Sequence, residues 1–295
     1  MNIAIMGANS HIAKGLMHFG TEEGYQIVPF SRSTGGYSEF LGGRYDVVIN
    51  CVGPGIIKDN YADWFTVAEK YDNLAMQYLL EVNPETLYIH FSSGKVYGDA
   101  GPATAQTRLQ IDPNNVPRSQ YLSITKLYAE SKHRVFDHLN IVDIRVFAYF
   151  SRWANLEENY FISLVAKCLK ENRAFVTNST DVYRDFLGPQ DLFDIVRLSI
   201  LKKKLNAAID AFTLKPVSKM DLLDRLRTEF NLDYYIDNSI EIPNSSGFKD
   251  KYYTTCTNAT STLGYKPAKT SENTVAFEMQ HLLSNRTHLF SKSKG

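Results

Sequence analysis

Apolar and polar positions follow two different periods along this chain. Asn2 opens an apolar run, Ile3-Ala4-Ile5-Met6, that suits a parallel strand buried on both faces. Gly7-Ala8-Asn9-Ser10 is a tight turn of small residues, after which Ile12 and Leu16 recur at helical spacing. Further runs predict strands at Tyr25–Phe30, Tyr45–Gly53, Leu87–Ser93 and Arg173–Val176. Between them, apolar residues spaced by three and four predict helices over Asp72–Leu80, Ser119–Glu130 and Met220–Leu226, the last most simply a core helix. Strands alternating with helices imply an α/β chain with a mostly parallel sheet.

Strand, small-residue turn and helix at the start form the first unit of a dinucleotide-binding fold. The turn lets backbone approach a pyrophosphate, and the helix N-terminus offers it free N–H groups. Ser10 and Ala13 stand where further glycines are usual. Alanine still permits close helix–strand packing, and the Ser10 hydroxyl can itself donate to a phosphate. An acidic residue closing the second strand would accept from the adenosine ribose and select NAD. Ser31-Arg32 closes it here, and an arginine suits the additional 2′-phosphate of NADP(H), with a plain surface arginine as the alternative. The turn Gly53-Pro54-Gly55 ends a strand where a ribose or nicotinamide can lie against backbone.

Bulk numbers narrow the function classes. The 295 residues include 32 Lys+Arg and 32 Asp+Glu, so no net field draws nucleic acid or an anionic membrane. The basic block Lys202-Lys203-Lys204 follows a helix-like stretch and reads as a solvated C-terminal turn. No apolar run has the length of a membrane span, and no basic region precedes the first apolar residues as in a signal peptide. Cys51, Cys168 and Cys256 are few, distant and odd in number, which implies a reducing, cytoplasmic setting. The seven histidines show no metal-ligand spacing, so no metal is expected. The chain carries no internal repeat or low-complexity segment, and the polar tail Ser291–Gly295 is expected to fray.

Several stretches then fall into one order. Ser92-Ser93-Gly94-Lys95-Val96-Tyr97-Gly98, Lys126-Leu127-Tyr128-Ala129-Glu130, Ile144-Arg145-Val146-Phe147, Arg184-Asp185-Phe186-Leu187-Gly188-Pro189-Gln190-Asp191 and Leu263-Gly264-Tyr265-Lys266-Pro267 span nearly the whole chain. Together they resemble the extended short-chain dehydrogenases/reductases, the NAD-dependent epimerase/dehydratase family acting on nucleotide sugars. Pro189 stands where that family's fourth signature has valine. The resemblance implies a Rossmann-type doubly wound parallel sheet with a smaller C-terminal substrate-binding region. Residues 1–150, with returning segments about 176–215, would bind the coenzyme, and 151–175 and 216–295 the substrate. It also implies a nucleotide-sugar substrate and a homodimer built on paired helices, for which 121–139 and Asn60–Leu80 are the candidates.

The reaction so implied moves a hydride between nicotinamide and a sugar carbon, while a tyrosine moves the proton. Ser93 would orient the sugar oxygen, Lys126 would tune the phenol and hold the nicotinamide ribose, and Asn73 falls where the family keeps an asparagine. Gly7, Asn9, Ser10, His11, Ile12, Ser31, Arg32, Cys51, Val52, Gly53 and Lys126 make up the expected coenzyme set; Ser93, Asn159, Arg184 and Lys249 the substrate set. Arg184 would pair with a diphosphate or, more blandly, form a surface salt bridge with Asp185. Lys249 and Lys251 lie near the family's phosphate-binding arginine.

The tyrosine is out of step. Four helical steps turn ~400° and keep two residues on one face, but Leu122, not tyrosine, stands four before Lys126. Tyr121 stands five before it. A bulge or a helix start between them would restore contact, Tyr97 or a water could carry the proton, or the protein binds without catalysis. Within residues 29–50 the link from the second strand to the strand ending at Asn50 is short, which resembles the compact 4-keto-sugar reductases. An NADP(H)-dependent reductase of a nucleotide-linked 4-keto(-6-deoxy) sugar is therefore the leading expectation. A 4-epimerase or dehydratase with retained NAD and a non-catalytic dinucleotide-binding regulator are the alternatives.

Overall fold

The computed structural model describes residues 1–33, 36–53, 62–99, 101–202, 204–240 and 250–284. Pro54, Gly55, Lys203, Lys249 and the tail Ser291–Gly295 lie outside them. The order begins β1 (Asn2–Met6), α1 (His11–Glu22), β2 (Gln26–Phe30), β3 (Val47–Asn50), α2 (Ala62–Gln77), β4 (Leu87–Ser93), α3 (Tyr121–Val135) and β5 (Ile141–Val146). It continues β6 (Ala148–Tyr149), α4 (Phe161–Glu171), β7 (Phe175–Thr177), β8 (Tyr183–Arg184), β9 (Phe186–Leu187), α5 (Pro189–Leu201) and β10 (Asn206–Asp210). It ends β11 (Val217–Ser218), α6 (Lys219–Phe230), β12 (Tyr234–Ile236), β13 (Lys251–Tyr252), α7 (Asn258–Leu263) and α8 (Ser271–Ser284).

Six strands form one parallel sheet in the order β10-β5-β4-β3-β1-β2. This is a Rossmann-type doubly wound sheet. The runs in β1, β3 and β4 are apolar throughout because helices cover both faces: Ile3, Ile5, Val47, Ile49 and Ile89 pack with α1 and α5, Ala4, Met6, Val48 and Tyr88 with α2. Pro29, which has no N–H to give, sits in β2 at the sheet edge. The β2–β3 link holds only the single 3₁₀ turn Phe40–Gly42 among its described residues, in keeping with its shortness.

From β1 the chain steps outward to β2 and then back across to β3. The carboxyl ends of β1 and β3 are thus the topological switch point, where such sheets open a ligand crevice. Gly7 stands there with φ +75°, and a Cβ on it would lie 2.9 Å from the backbone of Cys51 and Val52. A second apolar cluster, from α4, α6 and α8 with Phe175, Phe186 and Val217, carries the small sheets β11-β8-β13 and β12-β7. Leu222, Leu223 and Leu226 of α6 are buried in it, so that helix is core. The strand expected at 173–176 is β7, shifted to Phe175–Thr177. None of the described helices is long and apolar enough to cross a membrane.

Gly7→Ala combines a left-handed φ with a backbone clash, so it should cost about 2 kcal/mol. Urea denaturation reads this directly; an unchanged midpoint would show that the turn relaxes freely.

Candidate active site at the carboxyl edge of the sheet

The first turn is built as a small-residue cradle. Gly7 N–H donates to Phe30 O at 2.9 Å and to the Tyr37 hydroxyl at 3.0 Å, tying the β1 turn to the end of β2. Ser10 caps α1 by accepting from Ala13 N at 3.2 Å, which leaves its hydroxyl hydrogen to donate. His11 opens the helix edge-on to Tyr149, and burial, then Lys14, push its imidazole down to about 4, so it is neutral. Its Nδ1 is buried without a partner. Ile12 packs against the core, and the Cys51 thiol is pushed up by burial, which makes it an inert wall. Val52 N is held by Asn50 Oδ1 at 3.0 Å, and Gly53 is exposed. At the end of β2, Asn9 Nδ2 donates to Ser33 Oγ at 2.8 Å, Ser33 lies 2.9 Å from Ser31 Oγ, and Arg32 is exposed beside them. The close backbone approach at Gly7, the free Ser10 hydrogen and the unpartnered His11 nitrogen fit a dinucleotide.

Ser93 ends β4 and caps the 3₁₀ turn Gly94–Tyr97 by accepting from Lys95 N at 3.2 Å. Its Oγ stands 3.0 Å from the Tyr252 hydroxyl. Lys126 comes in from α3 and is buried. It donates from Nζ to Phe91 O at 2.6 Å and to His90 Nε2 at 3.3 Å, which leaves one N–H of the ammonium. Burial lowers its pKa against the pull of Asp72, Asp143 and Glu130.

Beneath Lys126 lies a buried chain that sequence spacing did not reveal. Asp143 Oδ1 is 2.7 Å from His90 Nδ1 and 2.8 Å from His133 Nδ1, and His133 Nε2 is 3.0 Å from Asp72 Oδ1. Tyr88 donates to Asp72 at 2.7 Å, Lys132 pairs with Asp72, and Arg134 pairs with Asp143 at 2.7 Å. A carboxylate only accepts, so Asp143 takes the Nδ1 hydrogen of both rings. His90 is then neutral with Nε2 free to receive Lys126, and burial and the ammonium depress its pKa, outweighing Asp143. Burial opposes charge on His133, but hydrogen bonds to Asp143 and Asp72 prevail and lift it to about 9. Burial would raise both carboxyls, yet the imidazoles hold them well below the usual range. His90, His133 and Asp143 are close enough to suggest a metal cluster. Asp143 already accepts from both rings, and Lys126, Lys132 and Arg134 border the trio, so the arrangement is a hydrogen-bonded chain hostile to a cation.

Other expected residues sit apart. Asn73 is exposed and accepts from Lys132 at 2.7 Å; its neighbour Asp72 is the residue turned into the buried chain. Helix α3 runs unbroken from Tyr121, so no bulge absorbs the extra residue. Five steps leave Tyr121 ~140° around the helix from Lys126, with its ring 6.3 Å from Phe65. The Tyr97 hydroxyl is committed to Asp210 at 2.9 Å and receives Arg145 at 2.7 Å. Arg184 is buried, with its guanidinium 5.8 Å from the Tyr252 ring centroid. The surface salt bridge with Asp185 does not form: Asp185 accepts from Thr213 and Ser271 instead, since it too is buried and those donors face it. Asn159 is exposed just ahead of α4.

A family model described as the NAD dependent epimerase/dehydratase family matches residues 3–210. The fold is similar to UDP-glucuronic acid 4-epimerase of Bacillus cereus in complex with UDP-glucuronic acid and NAD, at TM-score 0.76 and 16% identity, over 97% of this chain and 100% of that one. It is also similar to RMD of Pseudomonas aeruginosa complexed with NADPH, at TM-score 0.75 and 16% identity, over 96% and 98%. A third is dTDP-glucose 4,6-dehydratase of Bacillus anthracis in complex with NAD, at 0.73 and 16%, over 97% and 98%. At that identity the likeness concerns the fold. No curated protein matches the chain.

The raised His133 stabilises the fold fully below its unfolded value near 6.5, and that contribution is lost as pH climbs through about 9. The melting temperature should therefore fall between pH 6.5 and 9, and His133→Gln should flatten that slope. Parallel melting curves for the two proteins would refute a charged His133.

Proposed function

The chain belongs to the NAD dependent epimerase/dehydratase family, and from that premise we propose that it is an NADP(H)-dependent reductase of a nucleotide-linked 4-keto(-6-deoxy) sugar. The observation that carries the coenzyme choice is the end of β2. Asn9, Ser31 and Ser33 form a hydroxyl-and-amide cluster with Arg32 exposed beside it and no carboxylate among them. A ribose 2′-hydroxyl needs an acceptor there, whereas a 2′-phosphate needs donors and a positive charge.

When bound, the coenzyme supplies a hydride to the sugar carbon. Gly7, Asn9, Ser10, His11, Ile12, Cys51, Val52 and Gly53 line the cradle for its diphosphate and ribose. The remaining N–H of Lys126 serves a ribose hydroxyl, while Phe91 O and His90 keep the ammonium in place. Ser93 orients the sugar oxygen. Arg184 supplies positive charge toward the substrate diphosphate, with Asn159 at the mouth of α4. Exposed Tyr128 and Val135 on α3 and Leu80 after α2 support a homodimer through those helices.

The likeness to the UDP-glucuronic acid 4-epimerase favours a second reading, a 4-epimerase that retains NAD. Purified protein that already carries nicotinamide would support it, because a reductase must release its oxidised coenzyme. For the reductase, fluorescence titration should give a Kd for NADPH well below that for NADH. Arg32→Asp should weaken NADPH roughly 10- to 100-fold, the worth of a charge-assisted phosphate contact. NADPH affinity untouched by that change would remove Arg32 from the site.

A further inference from the structure

Tyr252 is singled out by no helical spacing and no signature stretch, yet its hydroxyl is the side-chain partner of Ser93, at 3.0 Å. The backbone N–H of Lys95 also donates to that oxygen. Arg184 places its guanidinium 5.8 Å from the ring centroid. Burial pushes the phenol up to about 12, against Ser93, Arg184 and the Lys95 N–H, so it holds its proton at neutral pH.

The placement is enforced from two sides. Ala103 N donates to Tyr253 O and Thr255 N to Ala103 O, both at 2.9 Å, so the loop after β4 is paired with the segment that carries Tyr252. Gly101 lies so close to the Lys251 carbonyl that a Cβ would overlap it. The ring is clamped among Val96, Tyr97, Ala103 and Phe147. Meanwhile α3 offers Leu122 on the Lys126 face, and Tyr121 is turned away from it.

We propose that Tyr252, delivered by β13 from the C-terminal region, is the catalytic phenol that protonates the sugar oxygen held by Ser93. This rests on the reductase reading above. As hydride reaches the carbonyl carbon, the C=O π pair moves to oxygen. The Tyr252 O–H bond breaks and its proton passes to that oxygen, completing the alcohol. The phenolate left behind is held by the Ser93 hydroxyl, the Lys95 N–H and the Arg184 charge, and regains a proton from solvent.

The test uses the full chain, NADPH and a panel of nucleotide-linked 4-keto-6-deoxy sugars. Tyr252→Phe keeps the ring packing, so the protein should stay folded with a melting temperature lowered by only a few degrees for the lost hydrogen bond, and its NADPH Kd by fluorescence should match the parent. Its kcat should fall about 100-fold or more, the usual worth of a positioned acid, with KM little changed. Tyr252→Phe combined with Ser93→Ala should cost far less than the product of the single losses, because the two hydroxyls act on one oxygen. A Tyr252→Phe kcat within about threefold of the parent, with the loss found in Tyr121→Phe instead, overturns the assignment and leaves the reductase reading standing. A parent that binds NADPH but reduces none of the panel overturns both.

Discussion

One carboxylate, Asp143 on β5, holds the interior of the candidate site together. It is fully buried and sits between two imidazoles, with Arg134 closing its second oxygen. A lone charge at that depth would be strongly unfavourable, so the fold must supply donors from every element around it. It does so from β4 through His90 and from α3 through His133 and Arg134. Those contacts fix how α3 seats on the sheet. Lys126, on the same helix, is thereby carried to the carbonyl of Phe91 and the free nitrogen of His90.

A second network stands beside it and follows the same rule. Arg145 on β5 joins Glu130 on α3, Tyr97 after β4 and Asp210 on β10. Asp210 also accepts from Thr254 at 2.7 Å, only two residues beyond Tyr252. The sheet interior and the segment that reaches Ser93 are therefore one hydrogen-bonded body. A phenol set on such a framework loses little freedom when it acts, which is how a site supplied by a distant segment can still be well oriented.

How far the chain could be read in advance differs between its parts. The β1–Gly7–α1 unit was legible because glycine at a left-handed turn, an apolar strand and a 3.6 period are all local. The core role of α6 was legible for the same reason. Ser93 and Lys126 could be named as candidates in advance, since short stretches carry them. Asn73 faces solvent while the adjacent Asp72 is turned inward, because a rotation of ~100° on one helix separates solvent from a buried cluster. His90 and His133 lie 43 positions apart and Asp143 ten beyond the second, so no spacing rule joins them.

The parallel sheet, the small-residue turn after β1 and the lack of a tyrosine four residues before Lys126 can all be read from residue order. These depend on residue type and on spacing within a single element. What stands opposite Ser93 and what holds the Lys126 ammonium emerge from folding alone. Tyr252 is 159 positions from Ser93, and the contact exists because two loops pair across that gap. Burial does the rest, since whether a histidine is charged or a carboxylate ionised depends on neighbours that only folding assembles.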